Sequence, residues 1–148
     1  MYNRIMIATD GSAMAGRAIK AGVELAKRTG ASIVAFSAYE PVTAHLDLED
    51  GNYLDASTST LLERAARDGA RKHVAAVAKA AAREGLQCKL GIVKSRDAAD
   101  GILRVAGKTK CDVIVMASHG RRGLTRLLLG SVTQRVLARA RIPVLVWR

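Results

Sequence analysis

Residues 112–134 read DVIVMASHGRRGLTRLLLGSVTQ, and this stretch decides the fold. The run Asp112–Ala117 is short, apolar and not alternating, which is the pattern of a strand buried on both faces. A glycine-rich segment, Ser118–Gly130, follows it. Ser131-Val-Thr-Gln134 then has capping-box spacing and opens a helix to about Ala140. A buried strand, a glycine loop and a helix in that order are the unit from which parallel α/β sheets are built.

The same unit recurs on both sides of this stretch. Arg4–Thr9 is a strand candidate, and Ser12 can cap a helix to about Arg28, with Gly30 as its terminator. Ala31–Ala38 reads as a second buried strand. Tyr39–Asp55, polar and containing Pro41 and Gly51, reads as a long loop, and loops of this length in compact domains are usually functional. Thr60 and Glu63 have capping-box spacing for a helix to about Glu84, stopped by Gly85. Leu86–Val93 alternates as a third strand. Asp97 can cap Ala98–Ala106, which Gly107 would end, and Pro143–Trp147 is a last strand. The expected architecture is therefore an α/β domain spanning 1–148, an open five-stranded parallel sheet with helices on both faces. Ligands of such sheets bind beyond the carboxyl ends of the strands, where strand order reverses. That directs attention to the loops after strands one and four.

In the first loop, Thr9-Asp10-Gly11-Ser12, the Asp10 carboxylate can accept a ribose hydroxyl or contact Mg2+; it can equally cap the following helix. In the second, Ala117-Ser118-His119-Gly120-Arg121-Arg122-Gly123 leads to Gly130-Ser131 at a helix start. Glycines there let backbone amides approach phosphates, and a helix N-terminus favours an anion. Ser131 can offer its hydroxyl to phosphate or serve as the cap.

Two motifs carry less than they first promise. Gly101-x5-Gly107-Lys108-Thr109 has one residue too many for a P-loop and lies between a helix and a strand, where a P-loop follows a strand. His119 lacks a recognisable Ser/Asp constellation for catalysis, so a hydrogen-bonding role in its loop is expected. His45 and His73 read as exposed or loop residues.

Composition narrows the partners. Twenty-four Lys and Arg against 13 Asp and Glu give a formal net charge of +11, and no carboxylate follows Asp112, so an anionic partner is favoured. Aromatic residues are only 3% of the chain, too few for the stacking platforms of single-strand binders, and no helix-turn-helix or zinc pattern occurs; nucleic acid is therefore a remote alternative. No uncharged apolar stretch is long enough to span a bilayer, and Arg4 precedes too short an apolar run for a signal peptide. Cys88 and Cys111 are isolated, fitting small strand residues in a reducing, cytoplasmic setting.

The whole chain resembles the universal stress proteins. The residues that carry the resemblance are Ile5–Ser12, Val113–Ser118, Gly120-Arg-Arg-Gly123-Leu, Leu127-Leu-Leu-Gly130-Ser131-Val and Pro143-Val-Leu-Val. ATP-binding members of that family carry G-x2-G-x9-G-[S/T], which here reads Ala117-x2-Gly120-x9-Gly130-Ser131. Ala117 departs from the glycine; where the backbone φ is ordinary, alanine costs little there. Arg96-Asp97-Ala98 departs from a Gly-x-Pro turn found in many relatives. The resemblance implies a Rossmann-like sheet of the adenine nucleotide alpha hydrolase kind, strand order 3-2-1-4-5. It implies ATP with Mg2+ as ligand, Asp10 at the ribose and the backbone near Ala38 at adenine. Gly120, Gly130, Ser131 and the Val132 amide would hold the phosphates, with Thr9, Ser118, His119, Arg121, Arg122 and Gly123 around them. It further implies a regulatory or stress-response module with little or no hydrolysis, homodimeric through Ile142–Trp147. A nucleotide-independent interaction module is the alternative.

Overall fold

The computed structural model describes residues 1–42, 55–120 and 129–148. The elements alternate along the chain: β1 (Arg4–Ala8), α1 (Ala13–Thr29), β2 (Ser32–Tyr39), α2 (Ala56–Arg83), β3 (Cys88–Lys94), α3 (Ala98–Lys108), β4 (Val113–Ala117), α4 (Ser131–Arg139) and β5 (Val144–Trp147). All strand pairs are parallel, in the expected order β3-β2-β1-β4-β5. The register sets Ile5 opposite Ile33 and Val113, and Met6 opposite Val34 and Ile114.

Because successive strand residues point to opposite faces, these runs feed two cores. Ile5, Ile7, Ile33, Ala35, Val113 and Val115 pack with α1 and α2. Met6, Ala8, Val34, Phe36, Ile114 and Met116 pack with α3 and α4. Burial on both faces explains why the strands read as unbroken apolar runs.

The amino ends of β1 and β4 are tied by Asp112. Its Oδ2 accepts from the Asn3 and Arg4 amides at 2.5 and 2.7 Å, its own amide donates to Arg4 O at 2.8 Å, and the Arg4 guanidinium donates to Thr109 O. These amides hold the Asp112 carboxyl below the usual carboxylate range. At the head of α2 the Thr58 amide, with the Ser57 hydroxyl, lowers Asp55 to about 2. Both groups have depressed folded-state values, so their contributions are complete above the ordinary carboxylate value and fade as acid protonates them. For Asp55 that window runs from 3.8 down to about 2. Wild-type urea midpoints should fall on acidification through this window, and Asp112→Ala should show a smaller fall.

Several boundaries differ from expectation. α2 begins at Ala56 under an Asp55 cap, not at a Thr60 capping box: Thr60 sits inside the helix with its hydroxyl on Ala56 O at 2.7 Å, and Glu63 instead pairs with Lys94 at 2.8 Å. Gly107 does not end α3. The helix runs to Lys108, and Lys110 takes the left-handed turn at φ 54°, its amide on Gly107 O. Leu86 belongs to the turn closing α2, its amide on Ala81 O, so β3 starts at Cys88. Pro143 precedes β5 and offers only its carbonyl, to the Ile114 amide at 3.0 Å. Ser12, Gly30 and Asp97 cap as expected. The P-loop-like Gly101–Thr109 is α3 itself and its end. Most of the expected Tyr39–Asp55 loop, with His45, lies outside the described residues. Among those described, no helix is long and apolar enough to cross a membrane.

Candidate functional site

The sheet reverses direction of winding between β1 and β4, so the chains leaving these two strands diverge and open a cleft. Its volume is about 240 Å3. One wall is apolar: Phe36, Ala38, Ile102 and Met116. The rim carries Thr9, Asp10, His119, Gly120, Gly130, Ser131 and Val132. The loops after β1 and β4 are thereby brought to one place.

The first loop is held by its own side chains. The Gly11 amide donates to Thr9 Oγ1 at 3.2 Å and the Ser12 amide to Asp10 Oδ1 at 3.0 Å. The Ser12 hydroxyl caps α1 through the Ala15 amide at 3.1 Å. The cap is thus Ser12, and Asp10 shapes the turn before it. Gly11 sits at φ +76°, and the ring of His73 lies over it from α2: a Cβ on Gly11 would fall 2.3 Å from His73 Cδ2. His73 Nδ1 is 3.2 Å from the hydroxyl of Ser37, a buried residue of β2. His73 is therefore not the exposed or loop residue expected. It braces the turn that carries Asp10. A lone histidine on an alanine-rich helix gives no such signal in the sequence; only the fold brings it beside Gly11.

The second loop meets the first at Gly120, where a Cβ would lie 2.3 Å from Asp10 Oδ2. Ser118 is buried, its amide on Trp147 O at 2.7 Å and its hydroxyl 2.9 Å from His119 Nδ1. Ala117 ends β4, and its carbonyl accepts from the buried Thr133 hydroxyl at 3.0 Å, which seats α4 against the cleft. Among the described residues Lys110 is the only one other than glycine with positive φ, so Ala117 sits in ordinary backbone and its methyl brings no strain. Arg121, Arg122 and Gly123 lie outside the described residues.

Gly130, not Ser131, is the N-cap of α4. Its amide donates to Ser118 O at 2.7 Å, and a Cβ there would meet His119 Cα at 3.2 Å. Gln134 does not complete a capping box; its side-chain amide donates to Leu129 O at 2.8 Å. α1, α2 and α3 each begin with a side-chain cap, from Ser12, Asp55 and Asp97, but α4 has none. The first backbone bond inside α4 is Gln134 N–H to Gly130 O at 2.9 Å. Among the described residues the amides of Ser131, Val132 and Thr133 thus have no backbone acceptor at the positive end of the helix.

Such a fold and cleft define a doubly wound α/β protein with a helix terminus that carries no side-chain cap at its switch point. The profile of the Universal stress protein family matches residues 1–148, and the chain belongs to that family. A universal stress protein of Methanocaldococcus jannaschii, MJ0531, is 33% identical over 147 residues, 99% of this chain and 82% of that one. One from Thermus aquaticus is 32% identical over 148 residues, 100% of both. Among solved structures, that of the hypothetical protein MJ0577 superposes with TM-score 0.79 at 24% identity, covering 99% and 96% of the two chains. A universal stress protein in complex with cAMP gives 0.66 at 23%, covering 99% and 97%, and one from Archaeoglobus fulgidus in complex with dAMP gives 0.66 at 19%, covering 99% and 98%.

Proposed function

We propose that the chain is an ATP-binding regulatory module of the stress response, a single unit acting in the cytoplasm. The observation that carries the reading is the uncapped start of α4 at the floor of the switch-point cleft. Phosphate is the acceptor that such a terminus suits best. The cleft of about 240 Å3 is smaller than the roughly 300–1,000 Å3 of typical small-molecule pockets. It suits the base and ribose, with the phosphates running out over Gly130, Ser131 and the Val132 amide. Phe36, Ala38 and Met116 supply an apolar bed for adenine. Asp10 accepts a ribose hydroxyl, and among the described lining residues it is the only carboxylate that could share Mg2+ with phosphate oxygens. Complexes of two structural neighbours with cAMP and dAMP support an adenine nucleotide.

His119 shares its Nδ1 with Ser118 and is oriented by it. In the edge strand β5 the outward Leu145 and Trp147 are 38% and 41% exposed, so Trp147 is not a core side chain. An apolar sheet edge of this kind is a liability unless paired, and supports a homodimer through Ile142–Trp147.

Calorimetry of nucleotide-stripped protein with Mg·ATP and Mg·AMP tests the reading. Binding in the micromolar range is expected, tighter for ATP, and weakened about tenfold or more by Gly130→Ala and by Ser131→Ala. Ala117→Gly should change affinity less than about threefold. A folded protein that binds neither nucleotide, or holds AMP and ATP equally and regardless of Gly130, sinks it.

A further inference from the structure

A second cavity, of about 460 Å3, opens at the opposite end of the sheet, below the amino end of β4. The rise of about 3.3 Å per strand residue puts Cys111, on its wall, about 20 Å from Ala117. Its floor is apolar: Leu103 and Ala106 of α3, the buried Cys111, Ile114 of β4 and Ile142 before β5. Lys110, Arg139 and Arg141 also line it, and among the described residues no carboxylate does.

The three cations are not equivalent. Arg139 spends its charge on Asp97 and Asp100, at 3.5 and 3.0 Å, and contributes its stem. Lys110 and Arg141 have no ion pair among the described residues. Basic groups beside helix ends often serve only to offset the C-terminal dipole. Here the end of α3 is already satisfied by its own chain. Val105 O accepts from the Thr109 amide and hydroxyl at 2.9 and 2.7 Å, Ala106 O from the Cys111 amide at 2.9 Å, and Gly107 O from the Lys110 amide at 3.1 Å. The last of these bonds fixes Lys110 in its left-handed turn at the mouth of the cavity. The Ala140 amide likewise closes α4 on Val136 O at 2.8 Å.

We propose that this cavity binds a small amphipathic anion, its apolar chain on the Leu103–Ile114–Ile142 floor and its carboxylate or phosphate headgroup between Lys110 and Arg141. An arginine fork suits either headgroup, and a volume of about 460 Å3 lies within the range of small-molecule sites. The site shares no residue with the switch-point cleft, so it stands whether or not that cleft holds a nucleotide.

Cys111 provides the readout. In a Cys88→Ser background the Cys111 thiol is alkylated with decanoate, decyl phosphate or 1-decanol present. Either anion should slow alkylation at least fivefold, and the one effective at lower concentration names the headgroup. The Lys110→Gln/Arg141→Gln double variant should need at least tenfold more anion for the same protection, with its thermal midpoint near that of the parent. Chemical shifts of the Leu103 and Ile114 methyls should move with the same midpoint. Equal protection by 1-decanol, undiminished protection in the double variant, or none at millimolar anion would each overturn the proposal.

Discussion

Gly120→Ala is expected to lower nucleotide affinity at least tenfold while leaving the fold intact. The added methyl would lie 3.3 Å from Asp10 Cγ, a tight contact, and 2.3 Å from its Oδ2, a distance that no packed carbon sustains. Asp10 cannot move freely out of the way, because Oδ1 accepts from the Ser12 amide at the head of α1. The carboxylate must therefore rotate off that amide, or the Gly120 backbone must retreat from the cleft. Either change removes the acceptor proposed for the ribose. Tenfold corresponds to about 1.4 kcal/mol, near the lower end for a hydrogen bond to a charged group. Gly120 is exposed and belongs to neither core, so the thermal midpoint should shift by only about 2 °C or less. An unchanged affinity would show that Asp10 does not touch the ligand.

Gly11→Ala should act on stability instead, and strongly. At φ +76° an alanine bears a cost of about 1–2 kcal/mol from its own Cβ. The same Cβ would stand 2.3 and 2.5 Å from His73 Cδ2 and Nε2. Moving the ring gives up its contact with the buried Ser37 hydroxyl, a loss of about 1 kcal/mol. The sum, about 2–3 kcal/mol, lowers the melting temperature of a chain this size by roughly 5–12 °C. A double-mutant cycle separates the parts. On a His73→Ala background the ring is gone, and Gly11→Ala should cost only the backbone share of about 1–2 kcal/mol. Full additivity in thermal unfolding would mean that His73 does not bear on the turn.

The order of elements was open to reading because the central strands β2, β1 and β4 are buried on both faces and most helices begin or end in local punctuation. Ser12, Gly30 and Asp97 act within a few residues of where they stand, and the structure uses them as read. The misreadings arise where two local signals compete. Asp55 outbid Thr60 as the cap of α2 because its carboxylate reaches the Thr58 amide at 2.6 Å, four turns before the helix first buries a residue at Ala70. Gly107 looked like a terminator, but the turn at the end of α3 falls three residues later, on Lys110. At the cleft, Asp10, Gly120 and Gly130 were legible because a glycine loop must follow a strand to approach a ligand. Their mutual contact was not legible: 110 residues separate Asp10 from Gly120, and no pattern in either segment announces the other. The bare start of α4 was hidden too, since Ser131 and Gln134 have the spacing of a cap without making one.

The tie between Asp112 and Arg4, 108 residues apart in sequence, bears on how the protein is born. Of the strands in the sheet, β1 leaves the ribosome before the others and is central in the finished fold, flanked by β2 and β4. Its β2 side is covered early. Its β4 side waits, at about 5–20 residues per second, for roughly 5–20 s of synthesis. Through that interval the nascent chain displays an uncapped apolar strand edge, the template on which chains aggregate. Pulse-labelled hydrogen exchange during refolding should accordingly protect the β4 amides last. A chain halted before Asp112 should precipitate where the whole chain does not, so the most hazardous surface of this protein is one that its mature form no longer has.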